Sequence, residues 1–289
     1  MSEKPVLAVI GGSGLYHFPA LKNVAMLDVD TPFGKPSAPI ALGLLSGKPV
    51  AFLARHGIGH HISPSELNNR ANIYALKAIG ADKIVSVSAC GSLREDFAPG
   101  DIVIPDQLFD FTRGRARSFF SDGIVAHIGV ADPFCAALSS QVSRAVVAAR
   151  GNVHDGGTFI TIEGPRFSTR AESNIFRSWG ISIIGMTASP EAYLAREAEM
   201  CYAAMAHVTD YDVWHMSEEP VSVEMVVRTL MQNTELAQTA IQLLVENLDD
   251  TIQCDCEHAL ANAIITQRDM IPADTAKKLD LLIHKYISS

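Results

Sequence analysis

The chain has 289 residues, 48% of them hydrophobic, and carries 23 basic against 32 acidic residues for a formal net charge of −9. That apolar content supports a sizeable buried core and excludes a disordered chain. The acidic balance excludes a general nucleic-acid binder, whose affinity comes from neutralising phosphates, and no apolar run reaches the length of a membrane span.

The opening, MSEKPVLAVIGGSG, runs from a charged start straight into a strand and a glycine turn. It lacks the pattern of a secretory leader, and a cytoplasmic location is expected. Strands are then predicted at PVLAVI and PVAFLA, a helix over 69–79, and strands at KIVSVSA and DIVIP. A helix over 133–150 leads to the strand GTFITIE, a helix over 169–179 to ISIIGM, and a helix over 190–199 to AAMAHV. Strands apolar on both faces that alternate with helices predict an α/β fold, a single domain over 1–248 with a central mixed or mostly parallel sheet flanked by helices. VSVEMVVRTLMQNTELAQTAIQLLVENL has helical apolar spacing, with Ser222 suited to cap it. Residues 249–289 read as a C-terminal helical extension, whose stripe of Leu279, Leu282 and Ile283 needs a partner surface on its own domain or on a neighbouring subunit.

The five cysteines show no metal-finger spacing. Cys90, Cys135 and Cys201 read as small buried hydrophobes. Cys254 and Cys256, in QCDC, could close a strained local disulfide or stay reduced, and reduced thiols are expected in a cytoplasm.

In open α/β sheets ligands sit beyond the carboxyl ends of the strands, so the residues just past each strand are the candidates for a site. GGSGL offers backbone amides and Ser13; RHGIGH offers Arg55, His56 and His60; SACGS offers Ser88 and the amide of Ala89; MTASPE offers Thr187. These are anion donors. TDYD is different. Its carboxylates, Asp210 and Asp212, allow a solvated loop, a cation site or a general acid. On an extended backbone the two would point to one side, and crowding would split their titrations and keep one protonated near neutrality. Five strand ends with such groups favour an active site over a loop, and positive charge supplied by the protein makes a metal unnecessary; none is expected.

IGGSGL, VDTPFGKPS, LARHG, SACGSLRED, PGDIVIPDQ, TIEGPRFSTRAES, GMTASPEAYLAREA and TDYDVW, in that order from about Val6 to Val227, closely resemble the 5'-methylthioadenosine phosphorylases of the trimeric purine nucleoside phosphorylase family. The resemblance implies a nucleoside phosphorylase-like fold and phosphorolysis of 5'-methylthioadenosine to adenine and 5-methylthioribose 1-phosphate. Inorganic phosphate is the co-substrate, no cofactor is implied, and the partners are the small nucleoside, phosphate and further copies of the chain. It places phosphate on Ser13, Arg55, His56, Ser88, Ala89 and Thr187, ribose along Met186, and the base against Phe167 and Ser168. Asp210 would face N7 and Asp212 the exocyclic amine, while Val223 and Val226 would line the 5' pocket. His127 would reach a neighbour's site in a trimer whose interface includes part of the C-terminal segment. Ser13 and Ser88 stand where threonine is usual and keep the hydroxyl. Gly185 stands where adenine-type relatives carry asparagine, as in phosphorylases that take methylthioinosine. The alternatives are a methylthioinosine or general purine nucleoside phosphorylase and, in another class, a non-catalytic nucleotide-binding protein.

Overall fold

The computed structural model describes residues 4–12, 15, 18–215, 223–251 and 253–287, without the side chains of 223, 225–228 and 230–232. In chain order it contains β1 (Leu7–Gly11), β2 (Lys22–Leu27), β3 (Ile40–Leu45), β4 (Lys48–Ala54), α1 (Asn69–Ala78), β5 (Lys83–Ser92), β6 (Ile102–Ile104), β7 (Gln107–Phe111) and α2 (Ala136–Ala148). The rest comprises β8 (Val153–Asp155), β9 (Thr158–Ile162), α3 (Arg170–Ser178), β10 (Ile183–Gly185), α4 (Ala188–Glu197), β11 (Cys201–Asp210), α5 (Val223–Glu246) and α6 (Ala273–Ile287).

The strands form one mixed sheet in the order β2-β3-β4-β1-β5-β10-β9-β7, with β11 also on β5 and carrying β6 and then β8. β1 lies parallel between β4 and β5 and is fully buried, so its side chains must be apolar on both faces. Alternation then sorts them. Leu7 and Val9 pack with Val142 of α2 and Ile241 of α5, while Ala8 and Ile10 pack with Ile73 of α1 and Leu194 of α4. The expected fold, a mixed sheet between helices, is the one observed.

Local signals fix several helix starts. The Thr169 hydroxyl accepts from the Glu172 amide at 3.2 Å while the Glu172 carboxylate accepts from the Thr169 amide at 2.8 Å, a reciprocal cap for α3. Asn68 caps α1 by accepting from the Ala71 amide at 3.2 Å. Ser222, the expected cap of α5, lies outside the described residues.

α6 closes over the second of these cores. Leu279, Leu282 and Ile283 are buried in the same cluster as Ile73 and Leu76, so the apolar stripe has its partner on its own chain. Lys285 adds an ion pair to Glu199 at 2.5 Å, and Tyr286 donates to the same carboxylate. Among the described residues no helix is long and apolar enough to cross a membrane.

Candidate active site

A split in the sheet creates the site. β1 leaves β5 at the Gly11–Val87 pair, and β10 joins the same side only at Gly91 and Ser92, antiparallel. Ser88, Ala89 and Cys90 therefore have no strand partner on that side, an exposed backbone edge in the middle of a sheet. A cavity of about 310 Å³ opens there, lined also by Gly12 and by the segments after β4, β9, β10 and β11. That volume suits a small-molecule ligand.

At the β1 side the cavity meets Arg55, His56, Ser88, Ala89 and Thr187. The hydroxyls of Ser88 and Thr187 are buried without a hydrogen-bond partner among the described residues. Facing the cavity, both hydroxyls are available to a bound anion or to water. Arg55 is 1% exposed, and the fold already uses much of it. Its Nε donates to Glu191 at 2.6 Å, Nη1 to the Val87 carbonyl at 3.0 Å, and Nη2 to Ser86 Oγ at 2.7 Å. Glu191, a partner the sequence does not show, thus balances the cation expected to face phosphate, and it also accepts from Tyr202 at 2.8 Å.

His56 departs from its expected role as a donor. Its Nδ1 lies 2.9 Å from the Ile62 carbonyl, which can only accept, so that nitrogen carries the proton. Burial, and next the Arg55 charge, lower its pKa to about 4. The ring is neutral at pH 7, and Nε2 is an acceptor.

Farther along β5 the cavity meets Met186, Phe167, Ser168, Asp210 and Asp212. A Cβ placed on Gly91 would stand 3.0 Å from Asp210 Oδ1 and 3.3 Å from Asp212 Cβ, which locates both acids over that glycine. They do converge, but not as neighbours in an extended strand. β11 ends at Asp210, and Asp212 has φ +51° in the turn beyond it. The Asp212 amide donates to Asp210 Oδ1 at 2.8 Å, the local bond expected of a loop aspartate, so the loop and site readings hold together. Burial raises the Asp210 pKa to about 6, against hydrogen bonds from the Thr209 hydroxyl and the Asp212 amide. Burial also raises Asp212, whose Oδ2 has no partner among the described residues. Trp214 anchors this turn by donating from Nε1 to the Ser92 carbonyl at 2.7 Å.

Arg115, which the sequence motifs do not single out, holds the loops beside the cavity. Its Nη1 donates to the carbonyls of Met186 and Ser189, each at 2.7 Å, and its Nη2 to Glu163 O at 2.8 Å, so one guanidinium ties together the two loops that carry Met186 and Ser168. Only its place in RGRAR, with no partner visible in sequence, could have marked it. Ser13 and the side chains of Val223 and Val226 lie outside the described residues. His127 is exposed and does not line this cavity on its own chain.

The phosphorylase superfamily profile matches residues 6–247. This chain belongs to the phosphorylase superfamily. It is 51% identical over 283 residues to an S-methyl-5'-thioadenosine phosphorylase of Geobacter sulfurreducens, covering 98% of this chain and 99% of the relative. An S-methyl-5'-thioadenosine phosphorylase of Hyperthermus butylicus is 49% identical over 268 residues, 91% of this chain and 97% of the relative. Among solved structures, a methylthioadenosine phosphorylase sourced from an Antarctic soil metagenomic library superposes with a TM-score of 0.92 at 46% identity, over 97% of this chain and 99% of that one. A Schistosoma mansoni methylthioadenosine phosphorylase in complex with adenine gives 0.85 at 34% identity, over 90% and 99%. The superfamily fold thus accounts for nearly the whole chain.

Proposed function

We propose that the protein cleaves 5'-methylthioadenosine with inorganic phosphate, yielding adenine and 5-methylthioribose 1-phosphate. The observation that carries this reading is a single cavity with two chemically opposite ends. Acids with raised pKa gather over Gly91, and unpartnered hydroxyls and backbone amides gather around Ser88. These positions are about 10 Å apart along β5, the reach needed to hold a purine at one end and an anion at the other. The names of the full-length relatives support the choice of nucleoside.

Phosphate bound at Ser88, the Ala89 amide and Thr187, with Arg55 behind them, attacks the anomeric carbon as the glycosidic bond to the purine breaks. Positive charge develops on the ribose and negative charge on the departing base, so a carboxyl at N7 and an anion beneath the sugar lower the barrier from both sides. Asp210, held near neutrality by burial, gives or shares the proton at N7. Asp212 accepts from the 6-amino group, which favours adenine over a 6-oxo base. Met186 lies against the ribose and Phe167 against the base. No covalent intermediate on the protein forms, and the anomeric centre inverts. Phosphate serves as co-substrate, and the reaction as written uses no cofactor.

The enzyme acts as a trimer in this reading, with His127 completing a neighbour's site. Support comes from an exposed aromatic patch on edge strand β7, where Phe109 and Phe111 lie against Trp179 of the turn after α3 with ring centroids 5.8 and 6.4 Å away. An edge strand with exposed aromatics is a natural association surface.

The deciding assay follows base release from methylthioadenosine with and without phosphate. Adenine is expected only with phosphate, and release without it would make the protein a hydrolase.

A further inference from the structure

The far end of β11 holds a second cluster of reactive groups. Cys135, Cys201, Cys254 and Cys256 come from three separate parts of the chain, and their Sγ atoms all lie within 4.8 Å of one another. Cys135 is the residue before α2, Cys201 begins β11, and Cys254 and Cys256 bracket the first residue of the 3₁₀ turn Asp255–His258. We propose that these four thiols form a binding site for one thiophilic divalent cation of the zinc class, held in tetrahedral thiolate coordination.

The distances fit that geometry. Zinc–sulfur bonds of about 2.3 Å in a tetrahedron place the sulfurs about 3.8 Å apart. Cys201 and Cys254 already stand 3.3 Å apart, with the whole set inside 4.8 Å. Two disulfides would instead join the four sulfurs as separate pairs at about 2.05 Å, with nothing to connect one pair to the other. A single cation satisfies all four.

The surroundings fit as well. The cluster is positioned by backbone, because the Cys135 amide donates to the Tyr202 carbonyl at 2.8 Å and so fixes the start of α2 beside the start of β11. Cys135 and Cys256 are buried at 4% and 3% exposure, and Cys201, Cys254 and Cys256 border an open cleft of about 700 Å³ that gives an ion a way in. Four thiolates around a dication leave a surplus of negative charge. Arg196 supplies a cation at the right place, its Nη1 donating to Cys256 Sγ at 3.3 Å. Binding displaces the thiol protons to solvent and changes no oxidation state. With four protein ligands the site is closed, and its work is to tie α2, β11 and the connector to α6 into one unit. Cys201 and Asp210 are opposite ends of β11, about 30 Å apart, so the ion takes no part in the reaction proposed for the cavity. Finger spacing in sequence cannot reveal a ligand set assembled this way.

The test is elemental analysis of the full chain purified in reductant without chelator, then cobalt(II) substitution and thiol alkylation. The expected result is one zinc per chain, cobalt bands of a tetrahedral thiolate, and four thiols that alkylate only after a chelator is added. Cys254→Ser with Cys256→Ser is expected to lose the metal and lower Tm while retaining phosphorolysis. Should that variant fail to fold, chelation and zinc re-addition on the native chain give the same readout, a Tm that falls and recovers. Protein that takes up no zinc or cobalt under reductant, or whose four thiols alkylate equally with zinc present, overturns the proposal. So does recovery of disulfides among the four from the reduced preparation.

Discussion

The backbone amide of Asp212 donates to Oδ1 of Asp210 at 2.8 Å, and this bond turns the chain so that the second carboxyl faces the cavity from outside the strand. The two acids are therefore unequal. Asp210 spends acceptor capacity on Thr209 and Asp212, while Asp212 keeps an oxygen without a partner among the described residues.

Asp210 is expected to show this inequality in a pH profile. Its folded pKa of about 6 lies above the ordinary value, so the folded state prefers the neutral carboxyl. The stability this contributes is complete below the ordinary carboxylate range and is lost as pH rises through about 6. The protonated fraction falls from about half at pH 6 to about a tenth at pH 7, and kcat/KM for the nucleoside at saturating phosphate should fall with it. Asp210→Asn should remove that limb and lower kcat by ~10²–10⁴-fold, with little change in phosphate binding. An unchanged profile in the variant would assign the titration to another group.

His56, neutral with its proton on Nδ1, makes a selective prediction about anions. Its Nε2 can accept from the hydroxyl of monohydrogen phosphate but not from sulfate, which has no proton near neutrality. Sulfate should compete about tenfold more weakly than phosphate binds, the worth of one hydrogen bond. In His56→Gln, whose amide can donate, the gap should narrow. Competition assays with both anions at pH 7 measure it.

The central strands, their helices and the strand-end motifs were legible because burial on both faces leaves a continuous apolar signature and because functional groups gather where such strands stop. β2, β3, β7 and β8 were not. β2 is almost wholly exposed, β3 is apolar throughout but only partly buried, β7 alternates between exposed and half-buried, and β8 has three residues, so none is buried on both faces along its length. In the site, residue types were readable but pairings were not. Nothing in MTASPE shows that Glu191 will fold back onto Arg55 across the sheet, and nothing in RGRAR shows which carbonyls Arg115 will collect. Such contacts depend on where tertiary packing leaves a charge buried.

Arg115 should therefore behave as a positioning residue. Its planar fork reaches carbonyls on two loops at once, which a lysine ammonium cannot reproduce. Arg115→Lys is expected to raise KM for the nucleoside while leaving phosphate binding near its native value. Equal losses for both substrates would point to general misfolding, and circular dichroism would report it.

Leu282 tests where the C-terminal helix belongs. It is 4% exposed within the core of its own chain. Leu282→Ala should cost about 2–5 kcal/mol in denaturant unfolding. The loss should not depend on protein concentration, as it would if the stripe were completed by another subunit.

Gly185 carries the question of base selection. A Cβ there would stand 2.8 Å from two ring atoms of Phe159, which is fully buried, and 3.4 Å from the Ala89 carbonyl. The glycine is thus required by packing against Phe159, and no side chain at this position can reach the base unless the ring moves. Gly185→Ala should destabilise the fold by about 1–3 kcal/mol through that overlap. Gly185→Asn should do at least as much harm and should gain nothing for adenine, whose amine has its acceptor in Asp212. Pairing Gly185→Asn with Phe159→Leu makes room for the amide and separates the packing effect from the chemical one. With Asp212 as the acceptor, the native enzyme should have a higher kcat/KM for methylthioadenosine than for methylthioinosine, and Asp212→Asn, which can also donate, should reduce or reverse that ratio. A native preference for methylthioinosine would mean that the space beside Gly185, and not the carboxylate of Asp212, decides which purine is taken.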